Sequence, residues 1–489
     1  MGGIAVAINK RGQTVTDTIL TMLKELSHRG NDACGVASPT VVEIAKSIDE
    51  INTNRIASNL ALGHVFSKAL ARDKPQPILG DGSALVFEGR IFPPPMRDLS
   101  EAEFMLKKLG VNHQREVAQI IRDHDGSYTF AIIDKTRVIV GRDPLGTCPL
   151  YYGEIKTLWA AASEQKALWK IGFKNVKPFP PGNLATVTMQ NSVFQLIKTV
   201  SKTEEKKCGI ETATEILQRL LWNAVEKRIT DLKEVAVAFS GGIDSSLIAF
   251  VVQHIGLKVH LFTVGLKGQE ELKHAKGVAN LLELPIHIQT YKIDDVESQL
   301  PAILWLIEKI GILDAGIAVP LYWTAENASK MGFKVMLAGQ GSDELFSGYQ
   351  KYLKIYEHYG EEKLGETLFR DVVNSYETNY QRDNKVSAFH KIELRLPFTD
   401  LELINFALSM PLELKIQPEK GIRKIILRHV AKKLGLPASI VDRPKKAIQY
   451  TTGVDKALKK LAKGEKLNLQ NYLMKHFRDS YSPSKVENM

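Results

Sequence analysis

The 489-residue sequence is poor in the features that mark secreted, zinc-binding or membrane proteins. Its three cysteines, Cys34, Cys148 and Cys208, are too few for a disulfide framework and too widely spaced for a zinc motif. No uninterrupted apolar run reaches the roughly 18 residues of a transmembrane helix, and no basic leader precedes the first apolar residues. These absences predict a cytoplasmic protein without a membrane partner.

The sequence also lacks a segment that concentrates charge of one sign. Its formal net charge is +10, but its 65 basic and 55 acidic residues are largely intermixed. Basic residues are denser around 459–466, yet no aromatic residues alternate with them as on a single-strand binding surface. The sequence therefore does not favour a nucleic-acid partner, and adenylation of an RNA is kept only as a minor alternative.

The length predicts two or three domains. Short strands and Gly, Asp or Pro turns dominate residues 1–200, with helical stretches near 14–27 and 100–123. Beyond residue 234, apolar strands alternate with helices, which indicates a parallel sheet, and the chain after about residue 350 is mainly helical. We predict a two-domain α/β protein with domains 1–200 and 211–489, joined by a polar linker at 201–210.

A glycine-rich loop follows the first strand of the second half. Apolar residues alternate over 235–239, and the sequence then reads Ser240-Gly241-Gly242-Ile243-Asp244-Ser245. The two glycines have no Cβ atoms, so backbone N–H groups can close around phosphate oxygens. The apolar helix that follows would point its positive dipole end at the same anion. The pattern predicts a pyrophosphate site; the alternative is a glycine turn in which Asp244 only caps a helix.

A second acidic loop follows a later strand. The run Gly339-Gln340-Gly341-Ser342-Asp343-Glu344 comes directly after apolar residues 335–337. Because the carboxyl ends of parallel strands meet at one edge of a sheet, Asp244 and Asp343 should converge there. Magnesium binds through one or two carboxylates plus phosphate oxygens, so the pair predicts a Mg²⁺ site. The alternative is that Asp343 and Glu344 only stabilise the start of a helix.

These motifs, in this order, resemble the glutamine-dependent asparagine synthetases. The C-terminal half resembles the ATP-pyrophosphatase domain of that family, a PP-loop, HUP-like fold. The matching segments are 240–245, 262–266, 339–349, 393–400 and 443–445. The resemblance implies that ATP adenylates a carboxylate with release of pyrophosphate, and that a nitrogen nucleophile then displaces AMP.

The resemblance also implies a set of site residues. It places Asp244 and Asp343 as Mg²⁺ ligands, and Lys445 as the lysine that stabilises charge during adenylation and displacement. The implied contacts with ATP are Ser240, Gly241, Gly242, Asp244, Ser245, Val264 and Gly341. A lysine facing a developing pyrophosphate suits this chemistry. Lys446 is the neighbouring candidate, and a solvated surface charge is the alternative for either lysine. Lys420 and Arg423 are read as a basic helix, either a second phosphate patch or, more simply, a solvated face.

Three departures from the family bear on the substrates. The family usually has a glutamate where Gln340 stands, and an amide cannot take up a proton from ammonia at neutral pH. The family usually has an arginine and a serine in the segment where Gly316 and Ala318 stand, and losing an arginine removes a carboxylate or phosphate clamp. Aspartate as the carboxylate substrate is therefore less secure than the adenylation itself.

Residues 1–200 resemble the N-terminal-nucleophile (Ntn) glutaminase domain of the same family, which implies an αββα sandwich. The similar segments are 27–32, 63–64, 76–77, 141–146 and 149–153.

The catalytic positions of that domain differ. The family begins Met-Cys-Gly-Ile, whereas Gly2 stands here and offers no nucleophile. The family's Asn-Gly-Glu reads Glu88-Gly89-Arg90, which replaces an oxyanion donor by an acceptor and reverses the charge at the amine site. The arginine for the glutamine carboxylate falls in a shortened segment, 64–67. Gly2 alone could be an engineered change, but several independent losses predict an inactive glutaminase. Cys34 is predicted to be a buried structural thiol and not a substitute nucleophile.

The sequence is compatible with four functions. The leading one is an ATP-dependent, AMP-forming amide ligase that acts on a small-molecule carboxylate with ammonia or an amine, with ATP and Mg²⁺ as cofactors. A second keeps the adenylation but uses another acceptor, as in lactam-forming relatives. A third is a non-catalytic homologue that only binds nucleotide, and the fourth is the RNA adenylation mentioned above. A homodimer is compatible with the resemblance.

Overall fold

A computed structural model describes residues 2–110, 113–202, 204, 207–444 and 446–481. The chain divides into two compact units, Met1–Val200 and Ser201–Met489. The assignment of 201–210 as a linker stays a prediction. In the described part of the chain, no helix combines the length and the apolarity needed to cross a membrane.

The first unit consists mainly of strands. Its strands are β1 (Gly2–Asn9), β2 (Ala33–Ala37), β3 (Val42–Ala45), β4 (Leu60–Phe66), β5 (Ile78–Gly80), β6 (Ser83–Phe92), β7 (Asp125–Asp134), β8 (Arg137–Arg142), β9 (Tyr151–Ile155), β10 (Leu158–Ala162), β11 (Lys177–Pro178), β12 (Asn183–Thr188) and β13 (Ser192–Leu196). Its helices are α1 (Thr16–Leu26), α2 (Glu101–Lys108), α3 (His113–Asp123) and α4 (Gln165–Lys170). The helical stretch predicted near 100–123 is thus two helices, the first of which begins with a capping box between Ser100 and Glu103.

Two sheets stack in this unit, with helices on both outer faces. The order in one sheet is β11-β9-β10-β1-β4-β2-β3, and in the other β13-β12-β8-β7-β6-β5. Side chains of a strand alternate between faces: Ile4, Val6 and Ile8 of β1 join the core between the sheets, whereas Ala5 and Ala7 join the core under α1 and α4. Helices α2 and α3 cover the other sheet. The αββα sandwich is therefore confirmed.

The second unit is built on strands and many helices. Its strands are β14 (Glu234–Ala238), β15 (Lys258–Leu266), β16 (Ile286–Tyr291), β17 (Val335–Leu337), β18 (Glu393–Arg395), β19 (Ile416–Gln417) and β20 (Ile422–Arg423). Its helices are α5 (Ile210–Lys227), α6 (Ile243–Ile255), α7 (Glu270–Leu281), α8 (Ile293–Ile307), α9 (Ile312–Lys330), α10 (Ser342–Leu345), α11 (Gln350–Ser375, broken at Gly360), α12 (Gln381–Phe389), α13 (Leu401–Ser409), α14 (Ile425–Lys433), α15 (Ala438–Val441), α16 (Ile448–Thr451), α17 (Val454–Gly464) and α18 (Leu469–Ser480).

The main sheet of this unit is parallel throughout, in the order β16-β15-β14-β17-β18. Helices α8 and α9 share one large apolar core with it, and α6 packs on α5 and α14. Ala236 of β14 pairs with Met336 of β17, so the loops after these two strands leave the sheet side by side. The parallel sheet predicted beyond residue 234 is confirmed; strand β18 was not predicted. This register brings the glycine-rich loop and the acidic loop to one edge.

Candidate active site

The loop after β14 has the shape expected of an anion-binding turn. Gly241 has φ +68°, a left-handed conformation that glycine adopts without strain, and Gly242 caps α6. The loop is braced by its own hydroxyl groups: the backbone N–H of Gly242 donates to Ser240 Oγ at 3.3 Å, and Ser245 Oγ donates to the carbonyl of Gly242 at 3.2 Å. These bonds hold the start of α6 open toward the cavity described below.

Asp244 and Asp343 converge, as the sequence predicted. Asp244 lies in the first turn of α6 and Asp343 in the first turn of α10, which follows β17. Ser342 Oγ donates to Asp244 Oδ1 at 2.7 Å and so ties the two loops together. Gly339 is needed there, because an added Cβ would come within 3.0 Å of Asp244 Cβ. Two carboxylates thus face one point at the sheet edge.

A lysine that the sequence analysis did not single out occupies that point. Lys424 Nζ donates to both oxygens of Asp244 at 2.6 Å, and it also lies 2.6 Å from Asp343 Oδ1. Lys424 is almost fully buried, with 1% of its surface exposed. Gly348 makes room for this cluster, because a Cβ there would overlap Asp343 Oδ1 and the Lys424 side chain. One ammonium group therefore neutralises part of the charge of two adjacent acids.

A cavity of about 1260 Å³, counted with its open mouth, lies beside this cluster. Seven predicted site residues line it: Ser240, Asp244, Ser245, Val264, Gln340, Gly341 and Asp343. Gly241 and Gly242 belong to the adjoining loop. Apolar side chains such as Leu272 and Leu321 form another part of the wall, and an apolar wall next to polar anchors suits a nucleotide.

Gly265 follows Val264 in β15 and lies close to two other segments of the unit. A Cβ at Gly265 would lie 3.3 Å from Leu272 and 3.5 Å from Thr452 Cα. The glycine therefore leaves room for these segments, and Val264 lines the cavity.

The wall around Gln340 is acidic and buried. The side chain of Gln340 interacts with the carboxyl group of Asp383, which also accepts a 2.8 Å hydrogen bond from Arg382 Nε. Burial raises the pKa of Asp383 despite these partners. Glu344 accepts hydrogen bonds from Tyr349 and Asn379, each at 2.7 Å, and burial together with nearby Asp343 raises its pKa. The cavity wall here therefore carries a buried acid, Glu344, and a buried arginine, Arg382.

The unusual residues on α9 have a packing reason. A Cβ at Gly316 would lie 3.2 Å from Gln449 Cβ, so glycine lets α9 approach the segment that contains α16. Ala318 is fully buried. A side chain at position 316 would require Gln449 to shift. Gly316 and Ala318 carry no charge, so these positions supply no cationic clamp.

The predicted basic residues have different outcomes. Lys445 lies outside the described residues, so its predicted role stays a prediction. Lys446 lines the cavity, and its Nζ donates to Glu271 Oε1 at 2.7 Å. The prediction of a basic helix containing Lys420 and Arg423 is wrong: Arg423 lies in β20, and α14 begins only at Ile425. Two short strands and a turn at Gly421 interrupt the helical spacing.

In the first unit, the position of the family's nucleophile has no room for a side chain. Gly2 pairs with Phe66 in the sheet, and a Cβ on Gly2 would overlap the Val65 carbonyl oxygen and come within 2.7 Å of the His64 ring. The carbonyl of Gly2 accepts a 2.6 Å hydrogen bond from Arg29 Nε. Strand pairing and the buried arginine therefore fix this residue as glycine.

Arg29 is also the centre of a buried ion cluster. Its guanidinium donates to Glu88 Oε1 at 2.7 Å and to Glu164 Oε1 at 2.8 Å. Glu164 also contacts His28 and the buried ammonium of Lys166. Glu88, which stands where the family has an oxyanion donor, is therefore committed to Arg29.

Arg90 is neutralised in the same way. It forms a two-pronged pair with Asp73 at 2.6 and 2.7 Å, and it donates to Glu101 at 2.9 Å. These residues line a cavity of about 310 Å³ that also borders His64 and Glu88. Burial alone would raise the pKa of Asp73, but Arg90 lowers it well below the ordinary range. The charged groups of Asp73, Arg90 and Glu101 therefore neutralise one another in this cavity.

Cys34 fits its prediction. It is buried, its Sγ lies 3.7 Å from the carbonyl oxygen of Ala45, and burial raises its pKa to about 11, with Glu50 and Asp49 adding to the shift. The thiolate is therefore disfavoured, and Cys34 is a structural residue.

Comparison with known proteins decides the family. Residues 217–360 and 355–477 match the asparagine synthase family, and residues 70–170 match a glutamine amidotransferase domain. The chain is 32% identical to a protein named glutamine-hydrolysing asparagine synthetase 1 of Methanocaldococcus jannaschii, over 95% of this chain and 96% of that protein. The chain belongs to the asparagine synthetase family. As a member of that family it is an ATP-dependent ligase.

More distant asparagine synthetases match a smaller part of their own length. That of Brassica oleracea is 29% identical over 68% of this chain, and the match spans 58% of the plant protein. Among solved structures, the match to the glutamine phosphoribosylpyrophosphate amidotransferase of B. subtilis covers 58% of this chain and 65% of that chain at 17% identity, with a TM-score of 0.35.

In this member of the asparagine synthetase family, Lys424 is the main site residue that the sequence patterns did not predict. It lies after Ile422-Arg423 in a stretch with no strong periodicity, and only its contacts identify it. Asp383 was missed for a similar reason, because its partner Arg382 precedes it in an ordinary helical segment.

The buried histidine beside Gly2 generates a test of the first unit. Burial lowers the pKa of His64 to about 3, whereas an unfolded histidine titrates near 6.5. Between these values the unfolded chain binds a proton that the folded chain does not. The free energy of unfolding should therefore fall as pH drops below about 6.5, by about 1.4 kcal/mol per pH unit for each such histidine.

We expect His64→Gln to reduce this pH dependence. Hydrogen exchange of β1 and β4 peptides at pH 7 and pH 5, corrected for the intrinsic exchange rate, measures the opening free energy. The matched control is His358→Gln, because His358 is exposed. An unchanged pH slope in His64→Gln would contradict the burial of a neutral imidazole at this position.

Proposed function

We propose that this protein is an AMP-forming amide ligase that takes ammonia or another amine directly and does not hydrolyse glutamine. One observation carries the proposal. The glycine-rich loop and the convergent pair Asp244 and Asp343 are intact in the second unit, whereas Gly2, Glu88 and Arg90 are locked into strand pairing and ion pairs in the first.

The residues of the second unit fit the steps of adenylation. The backbone N–H groups of the Ser240–Ser245 loop and the dipole of α6 would bind the phosphates of ATP, and Val264 and Gly341 would contact the adenosine. The fit to Mg²⁺ rests on the donor set: two carboxylates suit this ion when phosphates supply further oxygens. Within the described residues, no cluster of three or more His, Cys, Asp or Glu could hold a metal on its own. Bound there, Mg²⁺ would neutralise charge on the departing pyrophosphate.

The nitrogen nucleophile must lose a proton after it attacks the adenylate. Gln340 cannot accept that proton, because an amide is not a base at neutral pH. Asp383 interacts with Gln340, but it is fully buried and its carboxyl group accepts a hydrogen bond from Arg382. We therefore assign Asp383 as a residue that positions Gln340. Glu344 lines the cavity and its pKa is raised by burial, so we assign it as the carboxylate that accepts the proton.

A second acceptor class is favoured by the wall near α9. Gly316 packs against Gln449, so the wall lacks the arginine with which the family commonly clamps an anion. Glu344 lines the same cavity as Gln340, and the buried Asp383 interacts with Gln340. A substrate that carries an amine, including one that closes a lactam ring with its own amine, suits these groups better than a dicarboxylate.

Removing either acid tests the adenylation site. Asp244→Asn and Asp343→Asn should each lower Mg²⁺-dependent pyrophosphate release by about two orders of magnitude, the scale on which single charged groups act in active sites. A coupled pyrophosphate assay with ATP, ammonium and pooled amino acids gives the rate. The control is Asp294→Asn, an exposed acid in the first turn of α8. Near-normal rates in both variants would refute the assignment of these acids.

The nitrogen source tests the inactive glutaminase. With aspartate as the probe carboxylate, ¹⁵N-ammonium should label any amide product, and glutamine labelled at its amide nitrogen should not. Glutamate release from glutamine should be absent in the natural chain and in Gly2→Cys, because a side chain at position 2 would overlap the Val65 carbonyl.

Measured glutamate release by either protein would contradict the proposal. Pyrophosphate release that requires a carboxylate other than aspartate would select the second acceptor class.

A further inference from the structure

The ammonium of Lys424 takes up the position where the carboxylate pair would hold a metal ion. It contacts both oxygens of Asp244 and one of Asp343 at 2.6 Å, and Ser342 Oγ at 3.3 Å. Its side chain is 2% exposed, so water does not screen these charges. A divalent cation cannot use the same oxygens while the ammonium remains among them.

The surrounding backbone is shaped to place this ammonium. Lys424 has φ +57°, a left-handed conformation that costs energy for a residue with a side chain, and it precedes the first residue of α14. Gly348 leaves the space through which its side chain passes beside Asp343. Arg423 donates to the carbonyl of Gly348 and holds the two segments together. The contact is therefore built by the fold and does not depend on a loose surface side chain.

The ammonium of Lys424 can leave the two carboxylates only if other charged groups replace these contacts. Withdrawal to an uncharged environment would leave a buried ammonium without a counter-ion and would remove a cation from two adjacent carboxylates, which is strongly unfavourable. A triphosphate chain on the glycine-rich loop would supply new anionic oxygens near Asp244, the loop's own acid. The exchange of partners then keeps all charges paired: the ammonium moves to phosphate and the metal takes the carboxylates.

We propose that Lys424 excludes free Mg²⁺ from Asp244 and Asp343 and yields these oxygens only when a nucleoside triphosphate is bound. The inference rests on the proposed function, because it requires the two acids to be the metal ligands. It adds an order of binding: the metal enters with the nucleotide and not before it. The same ammonium also keeps the acids together in the absence of ligands.

Binding of Mn²⁺ to the protein without nucleotide tests this directly. Mn²⁺ is used in place of Mg²⁺, and its binding is measured as the loss of the electron paramagnetic resonance signal of the free ion. We expect Lys424→Met to bind one Mn²⁺ at least tenfold more tightly than the natural chain, and Asp343→Asn in the Lys424→Met background to lose that site. The control is Lys433→Met, since this exposed lysine of α14 pairs only with the exposed Glu215 in the described structure.

Thermal unfolding with Mg²⁺ and a non-hydrolysable ATP analogue provides the second readout. The natural chain should be stabilised by both ligands together and not by Mg²⁺ alone, and this holds even if Lys424→Met does not fold. Equal stabilisation of the natural chain by Mg²⁺ alone, or equal Mn²⁺ affinity with and without Lys424, would overturn the proposal.

Two further outcomes separate the proposal from the function on which it rests. If the natural chain binds metal with the analogue but Lys424→Met does not, Lys424 supports the metal site and the exclusion is wrong, while the ligase assignment stands. If the analogue and Mg²⁺ stabilise neither protein, the assignment of the nucleotide site itself is wrong. The proposed exclusion of Mg²⁺ by Lys424 is then wrong as well.

Discussion

The arrangement of the second unit depends on how two adjacent acids at one sheet edge are neutralised. Asp244 and Asp343 leave adjacent parallel strands at the same sheet edge, and without a cation their repulsion would separate the loops that carry them. Lys424 supplies that cation in the absence of ligands. Gly339 and Gly348 are small because the acids and the lysine must approach so closely. The glycine-rich loop is therefore held ready for phosphate by charge pairing as well as by its own hydroxyl groups.

Charged groups are also paired inside the first unit, but there the pairing occupies residues at the positions of the family's catalytic groups. Arg29 is paired with Glu88 and Glu164, and Arg90 with Asp73 and Glu101, so its buried charges have partners inside the protein. Replacing one member would leave the others unpaired at a cost of about 3–5 kcal/mol. Such pairs stabilise a fold and leave none of these charged groups available for glutamine. A first unit that serves as a scaffold is compatible with the proposed function.

Local sequence patterns predicted the parts of the protein that depend on local chemistry. In residues 235–245 a strand is followed by two glycines and then by an acid. This order predicted both the turn and the position of Asp244 after it, because alternating burial and glycine geometry are short-range properties. Contacts between distant segments were out of reach. Lys424 contacts Asp244 across 180 positions of sequence, Asp383 of α12 contacts Gln340 in the loop after β17, and Gly265 faces Thr452. The helix expected around Lys420 failed because the turn at Gly421 overrode the charge pattern.

The central claim is that ATP is cleaved between its α- and β-phosphates at the Asp244 and Asp343 edge of the sheet. The most direct measurement is phosphorus nuclear magnetic resonance of the reaction of ATP, Mg²⁺ and ammonium with pooled amino acids. The account predicts AMP and pyrophosphate in equal amounts. Formation of ADP and inorganic phosphate, or ATP left intact with every carboxylate in the pool, would contradict it.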